Sequence, residues 1–487
     1  MTNPPVHHGD QPAPVSAVDS GGATVESGYS RLLPNLPAAF FRPDQLDQAA
    51  AQMEMPAAEV EQTQARWGST PQADPTPAPS ENPDIAAAYT YFGQFVDHDL
   101  TFDVGSRLER AASDPGMGPV NFRTPRFDLD SVYGRGPESD PYLYASDGRK
   151  LELGGAGDDL LRRTDDVAIQ PDPRNDENAL VAQVHLAVMR LHNQLAEEST
   201  EASFEEIQRR TRWHYQWVVL HDFLPKICGD LVYHDLLYGR GPVLLRWPYG
   251  QFVPVEFSAA AYRFGHSQVR ESYKIAEDQD PRPIFGPEGS DLRGGSPVNL
   301  PGRQVDWTLL VDAAKTPSLK IDTALSPSLF KLFGDGDEAA DPPELPPGLG
   351  SHLAARNLRR GVVLGLPSGE TVLRELTDQR GLVTPSDYEA IGQGDDLDAI
   401  ESTIRSAFWK ETPEAPPATP LWGWVLAEAE LAAEGKHLGP VGGRIVGETI
   451  VGLMQADPRS LVRSAPGWSP AASSGAYELR ELLLPDS

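Results

Sequence analysis

The sequence predicts a mainly α-helical protein, built as one large helical domain with a few short β-hairpins. Three observations carry that expectation. In "ENALVAQVHLAVMRLHNQLAEES", Glu177, Val181, Val184, Val188, Leu191 and Leu195 recur at alternating spacings of four and three, which lays one stripe along a helix. "TRWHYQWVVLHDFLPKICGD" and "TPLWGWVLAEAELAAEGK" have the same long, apolar-striped character. Strand signals are few and short: "PVLLRW", "QFVPVEF" and "ETVLREL".

Taken in chain order, residues 1–27 are polar and rich in Pro, Gly and Ala, so a disordered tail is expected there, with the domain spanning 28–487. Apolar positions become regular from "SRLLPNLPAAFFRPDQLDQAAAQM" onward. "GSTPQADPTPAPSENPD" (68–84) reads as a loop leading into a helix from about Ile85, and "GDGDEAADPPELPPGLG" (334–350) as a surface insertion. Hydrophobic residues make up 39% of the chain, enough for a sizeable core, while 46 prolines and 44 glycines imply many irregular connections.

The charge balance narrows the partners. With 41 basic and 71 acidic residues the formal net charge is −30, which repels nucleic acid and anionic membrane and favours bound cations. No basic patch with interleaved aromatics is present, so nucleic acid is not expected as a partner. The single cysteine, Cys228, excludes an intrachain disulfide and a cysteine metal cluster, and is expected to be a small buried apolar group. No secretory signal and no membrane span is readable, so a cytoplasmic protein is the default expectation.

Four short stretches could carry chemistry. In "YTYFGQFVDHDLTFD", Gln94 and His98 are four apart and share a helical face, with Asp97 flanking it. Asp99 is turned about 100° from His98, so the two aspartates need separate explanations. In "RTPRFDLDSVYG", Thr124, Asp128 and Asp130 alternate and would point one way from an extended loop, a set of oxygens that suits a hard cation such as calcium, although a D-x-D pair alone more often marks a solvated turn. In "PDPRNDENALVAQVH", Arg174 precedes the strongest helix and Glu177 opens its stripe, either to meet the helix dipole or to face the core. In "AAAYRFGHSQVRESY", Arg263 and His266 are three apart on one face.

The segments "FGQFVDHDLTF", "TPRFDLDSVYG", "RNDENALVAQVHLAVMRLHNQLA" and "AYRFGHSQVR", in that order, resemble the animal-type haem peroxidases of the peroxidase–cyclooxygenase superfamily. The likeness runs from about Gly28 to the C-terminus and includes "SHLAARNLRRG" and "TPLWGWVLAEAE". It implies a helical haem-peroxidase domain holding haem b, with hydrogen peroxide and small electron donors as substrates. His98 then resembles the distal acid–base histidine, Gln94 the glutamine that bonds distal water or halide, and Arg174 the distal arginine. His266 resembles the proximal iron ligand and Asn357 the acceptor of its other ring N–H, while Arg263 and Arg360 match arginines near the haem propionates. Asp99, Thr124, Arg126 (through its carbonyl), Asp128 and Asp130 match calcium ligands. Asp97 and Glu177 match acids that form ester bonds to haem in mammalian members; the position of a sulfonium-forming methionine is Asn178, so at most two esters are expected.

The chain also departs from the mammalian pattern. Beyond "NLRRG" it reads "VVLG" at 362–365 where those enzymes usually read Arg-Asp-His-Gly, and it has none of their disulfides. Three other readings stand beside the peroxidase. A fatty-acid dioxygenase of the same superfamily would use a tyrosine three residues before the proximal histidine, but that position is Arg263 and Tyr262 is one residue off. A non-catalytic haem- or calcium-binding protein would not need His98 and Arg174. A non-haem metal hydrolase using the Asp-His-Asp cluster would leave His266 and Asn357 unexplained.

Overall fold

The structure is a computed structural model that describes residues 28–67, 78–102, 121–245, 251–286, 290–294, 302–332, 352–410, 412, 414–471 and 476–484, with a two-residue strand pair upstream at 17–18 and 24–25. The expected tail and the 334–350 insertion lie largely outside these residues. What remains is mainly helical, as expected, around one large apolar core with a small satellite cluster at Leu191, Leu195, Ala196 and Ile207.

The helices that carry the argument are α1 (Pro43–Ala51), α2 (Ala87–Leu100), α3 (Ala179–Glu198), α4 (Phe204–Val218), α5 (Leu224–Tyr238), α6 (Leu353–Val363), α7 (Leu397–Trp409), α8 (Leu421–Ala432) and α9 (Pro440–Ala456). Several of their starts carry side-chain caps. Asn178 caps α3 by accepting from Leu180 N at 3.1 Å and Val181 N at 2.9 Å, and Asp396 caps α7 by accepting from Ala399 N at 3.0 Å. α9 is buried from Val441 to Met454 and lies against α5. Glycines permit that approach: a Cβ on Gly447 would stand 2.4 Å from Leu236 Cδ1, and one on Gly443 3.0 Å from the Cys228 carbonyl.

Several expectations needed correction. The opening helix starts at Ala87, because Glu81–Ala86 pairs antiparallel with Pro317–Leu319. "TRWHYQWVVLHDFLPKICGD" is not one helix: a π-helical turn at Val219–Phe223 separates α4 from α5, just before Pro225, which has no N–H to continue the ladder. α5 breaks again at Gly229, whose φ is +71°. "ETVLREL" is helical, since Ser368 Oγ accepts from Thr371 N and nucleates a turn over Gly369–Arg374. "QFVPVEF" gives only the strand Val253–Pro254, parallel to Tyr29–Ser30, before turning into the helix Val255–Ala259. Within the described residues of "PVLLRW" no strand forms.

The π turn has a structural use. It aims Asp222 inward, where Tyr89 Oη of α2 donates to it at 2.8 Å and Leu479 N of the C-terminal segment donates at 2.7 Å. Cys228 is buried nearby, as expected of a small apolar group, and its thiol is pushed upward by that burial.

Candidate functional site

α2 is the floor of the site. It is buried along its length except at Gln94 and Asp97, three residues apart, which open together onto a cleft. Gln94 Nε2 donates to Glu177 Oε1, Asn178 Nδ2 donates to Gln94 Oε1 at 3.2 Å, and His98 Nε2 lies 4.0 Å from Glu177 Oε1. The Gln94–His98 face is therefore real, and Glu177 closes over it. Burial first, then the charge of Arg174, push the His98 imidazole down to about 3, so the ring is neutral at ordinary pH.

Glu177 is not where its spacing placed it. α3 begins at Ala179, with Glu177 just after the short 3₁₀ turn Pro173–Asp176 and outside the buried stripe. Its side chain keeps 48% of its surface open, yet protein surrounds the cleft it enters, and desolvation pushes its carboxyl up to about 7. Arg174, from the same turn, is anchored: its Nε and Nη2 fork onto Asp172 at 3.1 and 2.8 Å, and Nη2 also donates to the carbonyls of His98 and Thr101. Its guanidinium sits 4.9 Å over the Phe102 ring. Asp172 is fully buried and held well below the usual carboxylate range; burial alone would raise it, but Arg174 and Arg123 prevail.

Asp97 joins the two sides of the cleft. Burial raises its carboxyl, and the opposing charges that lower it come from Arg174 on one side and Arg263 on the other. Arg263 and His266 lie on the 3₁₀ helix Ala261–His266, where three residues make a full turn, so they share a face. His266 is pushed down to about 3, chiefly by burial and then by Arg263 and Arg356, which leaves its imidazole neutral. Its ring stands edge-on to Trp422 of α8, with centroids 6.5 Å apart.

Asn357 of α6 is in place but with reversed polarity. Asn357 Nδ2, not its oxygen, lies 2.9 Å from His266 Nδ1, because Arg263 Nη1 donates to Asn357 Oδ1 at 2.9 Å. A guanidinium can only donate, so it takes the amide oxygen. Arg263, Arg356 and Arg360 crowd together: Arg360 and Arg356 help burial lower Arg263 to about 10, and Arg360 helps lower Arg356. Clustered guanidiniums of this kind suit a dianionic group such as the two propionates of a haem.

The cation ligands converge as well. Asp99, Asp128 and Asp130 are buried, with one oxygen of each within 4.8 Å of the others. Thr124 Oγ1 donates to Asp128 Oδ2 at 2.9 Å, and Asp99 Oδ2 is buried without a hydrogen-bond partner. Burial and the neighbouring carboxylates push Asp99 well upward, and burial pushes Asp130 up to about 7. Arg126 sends its side chain away, to Gln251 Oε1 at 2.6 Å, so only its backbone could serve this cluster.

Two groups escaped the sequence reading. Asn175 and His185 stand directly behind His98 and are buried, and their contacts cross chain segments that no local spacing joins. The one signal was His185 itself, a histidine four residues after Val181 in an apolar stripe.

Known proteins share this fold. The family description "Animal haem peroxidase" matches residues 106–450, a span that begins just downstream of α2. Among curated proteins the chain is similar to a chorion peroxidase of Drosophila melanogaster, 24% identical over 283 residues, covering 50% of this chain and 32% of the relative. It is also similar to a peroxidase-like protein of Margaritifera margaritifera, 25% identical over 362 residues, covering 66% and 40%. The chain thus spans about a third to two fifths of these relatives. Among solved structures it resembles peroxidase A of Dictyostelium discoideum, with a TM-score of 0.55, 16% identity and coverage of 98% and 95%. A fatty acid alpha-dioxygenase of Oryza sativa gives 0.50, 19%, and coverage of 92% and 81%, so the fold is common to both activities. With most of its length matched by the family description, the chain belongs to the animal haem peroxidase family.

Proposed function

We propose that this chain is a haem peroxidase that reduces hydrogen peroxide while oxidising small donors: aromatic donors by one electron, and halide or thiocyanate by two. The reading is supported by two groups of contacts, Gln94 and His98 against Glu177, and Arg263 and His266 against Asn357, with Asp97 of α2 feeling the charges of both Arg174 and Arg263.

His266 would hold haem b through its iron, and Arg263 and Arg360 would meet its propionates. Haem, when bound, supplies the redox-active iron. The protein's own part is proton handling and placement. His98 is neutral, so Nε2 can take a proton from hydrogen peroxide and return it to the oxygen that leaves as water. Arg174, fixed on Asp172, presents positive charge where charge builds on the departing oxygen. An anion that draws Arg263 away lets the Asn357 amide turn over, so that Oδ1 accepts from His266 Nδ1–H and Nε2 is left bare for the metal. Asp97 and Glu177 stand at the cleft, where ester links to haem would form. Asp99, Asp128 and Asp130, with Thr124 and the Arg126 carbonyl, would hold Ca2+.

The dioxygenase reading lacks its radical group. Tyr262 is buried with its hydroxyl donating to the Gly93 carbonyl at 3.2 Å, and Arg263 occupies the position a full turn before His266.

An absorption spectrum of purified protein before and after acid–acetone extraction tests the reading. A Soret band is expected, and its retention on the protein reports covalent attachment. His98→Ala should slow the peroxide-dependent change of that band by roughly 10²–10⁴-fold. An unchanged rate removes His98 from the mechanism, and oxygen uptake with a polyunsaturated fatty acid, without peroxide, would favour the dioxygenase.

A further inference from the structure

We propose that Asn175 and His185 are positioning residues that fix which nitrogen of His98 faces the cleft. The inference rests on the reading of His98 as the acid–base group. His98 Nδ1 lies 2.9 Å from Asn175 Oδ1, and Asn175 Nδ2 lies 3.1 Å from His185 Nδ1.

The polarity follows from what each atom can do. An amide oxygen only accepts, so His98 carries its proton on Nδ1 and presents a bare Nε2 on the side of Glu177. An amide nitrogen only donates, so His185 Nδ1 is an acceptor and its proton sits on Nε2. Turning the amide over would make His98 Nδ1 the acceptor and put its proton on Nε2. No nitrogen facing the cleft could then take a proton from peroxide. Only the observed orientation serves both states of a working base, because His98 keeps Nδ1–H whether or not Nε2 is protonated. His185 Nδ1, accepting from Asn175 Nδ2, completes that arrangement.

The surroundings keep the pair in register. Asn175 sits in the 3₁₀ turn fixed by Asp172, whose Oδ1 accepts from Arg174 N at 3.0 Å. His185 projects from α3 with its ring edge-on to Phe95 of α2, centroids 6.1 Å apart and planes at 82°. His98, Asn175 and His185 are all buried, so bulk water does not substitute for a missing partner. A carboxamide does not readily pass a proton along, so the proton taken at Nε2 of His98 leaves from the same atom. The pair orients the base; it is not an exit route.

The test compares Asn175→Leu, which removes the acceptor, with Asn175→Asp, which keeps one. The tautomer of His98 is read by long-range ¹H–¹⁵N correlation on the full-length, ¹⁵N-histidine-labelled chain, in the ferrous carbonyl form where haem is bound. Wild type and Asn175→Asp are expected to show the Nδ1–H form, and Asn175→Leu a mixture. In haem-loaded protein, Asn175→Leu should slow the peroxide-dependent Soret change at least about tenfold, leave KM for the electron donor unchanged, and be largely rescued in Asn175→Asp. Retention of pure Nδ1–H with a wild-type rate in Asn175→Leu overturns the proposal. A wild-type protein that binds no haem defeats the proposed function instead, and the tautomer measurement still decides the role of Asn175.

Discussion

Arg123 donates to Asp172 at 2.6 Å and stands 3.3 Å from Asp130, so one buried guanidinium links the three-carboxylate cluster to the anchor of Arg174. Removing it leaves Asp130 buried without a counter-charge and Asp172 with Arg174 alone. Arg123→Leu is expected to cost about 3–5 kcal/mol, the usual penalty for breaking one side of a buried ion pair. Urea unfolding followed by tryptophan fluorescence measures it, and Arg123→Lys should fall between the two. A loss below about 1 kcal/mol would show that the link contributes little.

The same cluster predicts a proton-coupled cation site. Asp99, Asp128, Asp130 and Asp172 bring four negative charges against two positive ones from Arg123 and Arg174, which leaves room for one divalent cation. Without the ion, Asp130 is raised to about 7 and Asp99 is raised as well, so protons compete below neutrality. Calcium affinity should fall as pH drops below about 7, and binding at pH 6 should release protons. Calorimetry in buffers of different ionisation enthalpy reads both effects. Asp128→Asn should abolish the calcium-dependent rise in Tm, and identical affinity at pH 6 and 8 without proton release would refute the coupling.

Glu428 sets a second pH dependence, far simpler in its surroundings. It is fully buried on α8, accepts from Tyr388 Oη at 2.6 Å and from Val441 N and Gly442 N, and burial pushes its carboxyl up to about 7 from an ordinary value of 4.5. The folded state therefore holds its proton where the unfolded chain has lost it. The contribution is present in full below pH 4.5 and is lost as pH rises towards 7, a total of roughly 3 kcal/mol. Glu428→Gln should flatten that part of the stability–pH curve, as measured by urea midpoints from pH 4.5 to 8. A curve parallel to wild type would mean Glu428 does not titrate there.

The site was legible wherever spacing within one element decided it. His98 and Gln94 share a face because they are four apart on α2, and Asp99 turns to Asp128 and Asp130 because it lies about 100° further round. Glu177 was misplaced because Asn178 caps α3, an event that depends on side-chain hydrogen bonds rather than on apolar period. Asn357 was found but its amide orientation was not, since that is settled by Arg263, 94 residues away. "ETVLREL" was misread as a strand because its Ser368 cap lies outside the apolar run. Residues whose roles are set across the fold, Asn175 above all, left no local period to read.

The seat of Leu479 on Asp222 imposes an order on biosynthesis. Asp222 holds Tyr89 of α2 from one side and the Leu479 amide from the other, so this buried carboxylate is fully partnered only after residue 479 has left the ribosome. Until then the helix bearing His98 is pinned by an incomplete clamp.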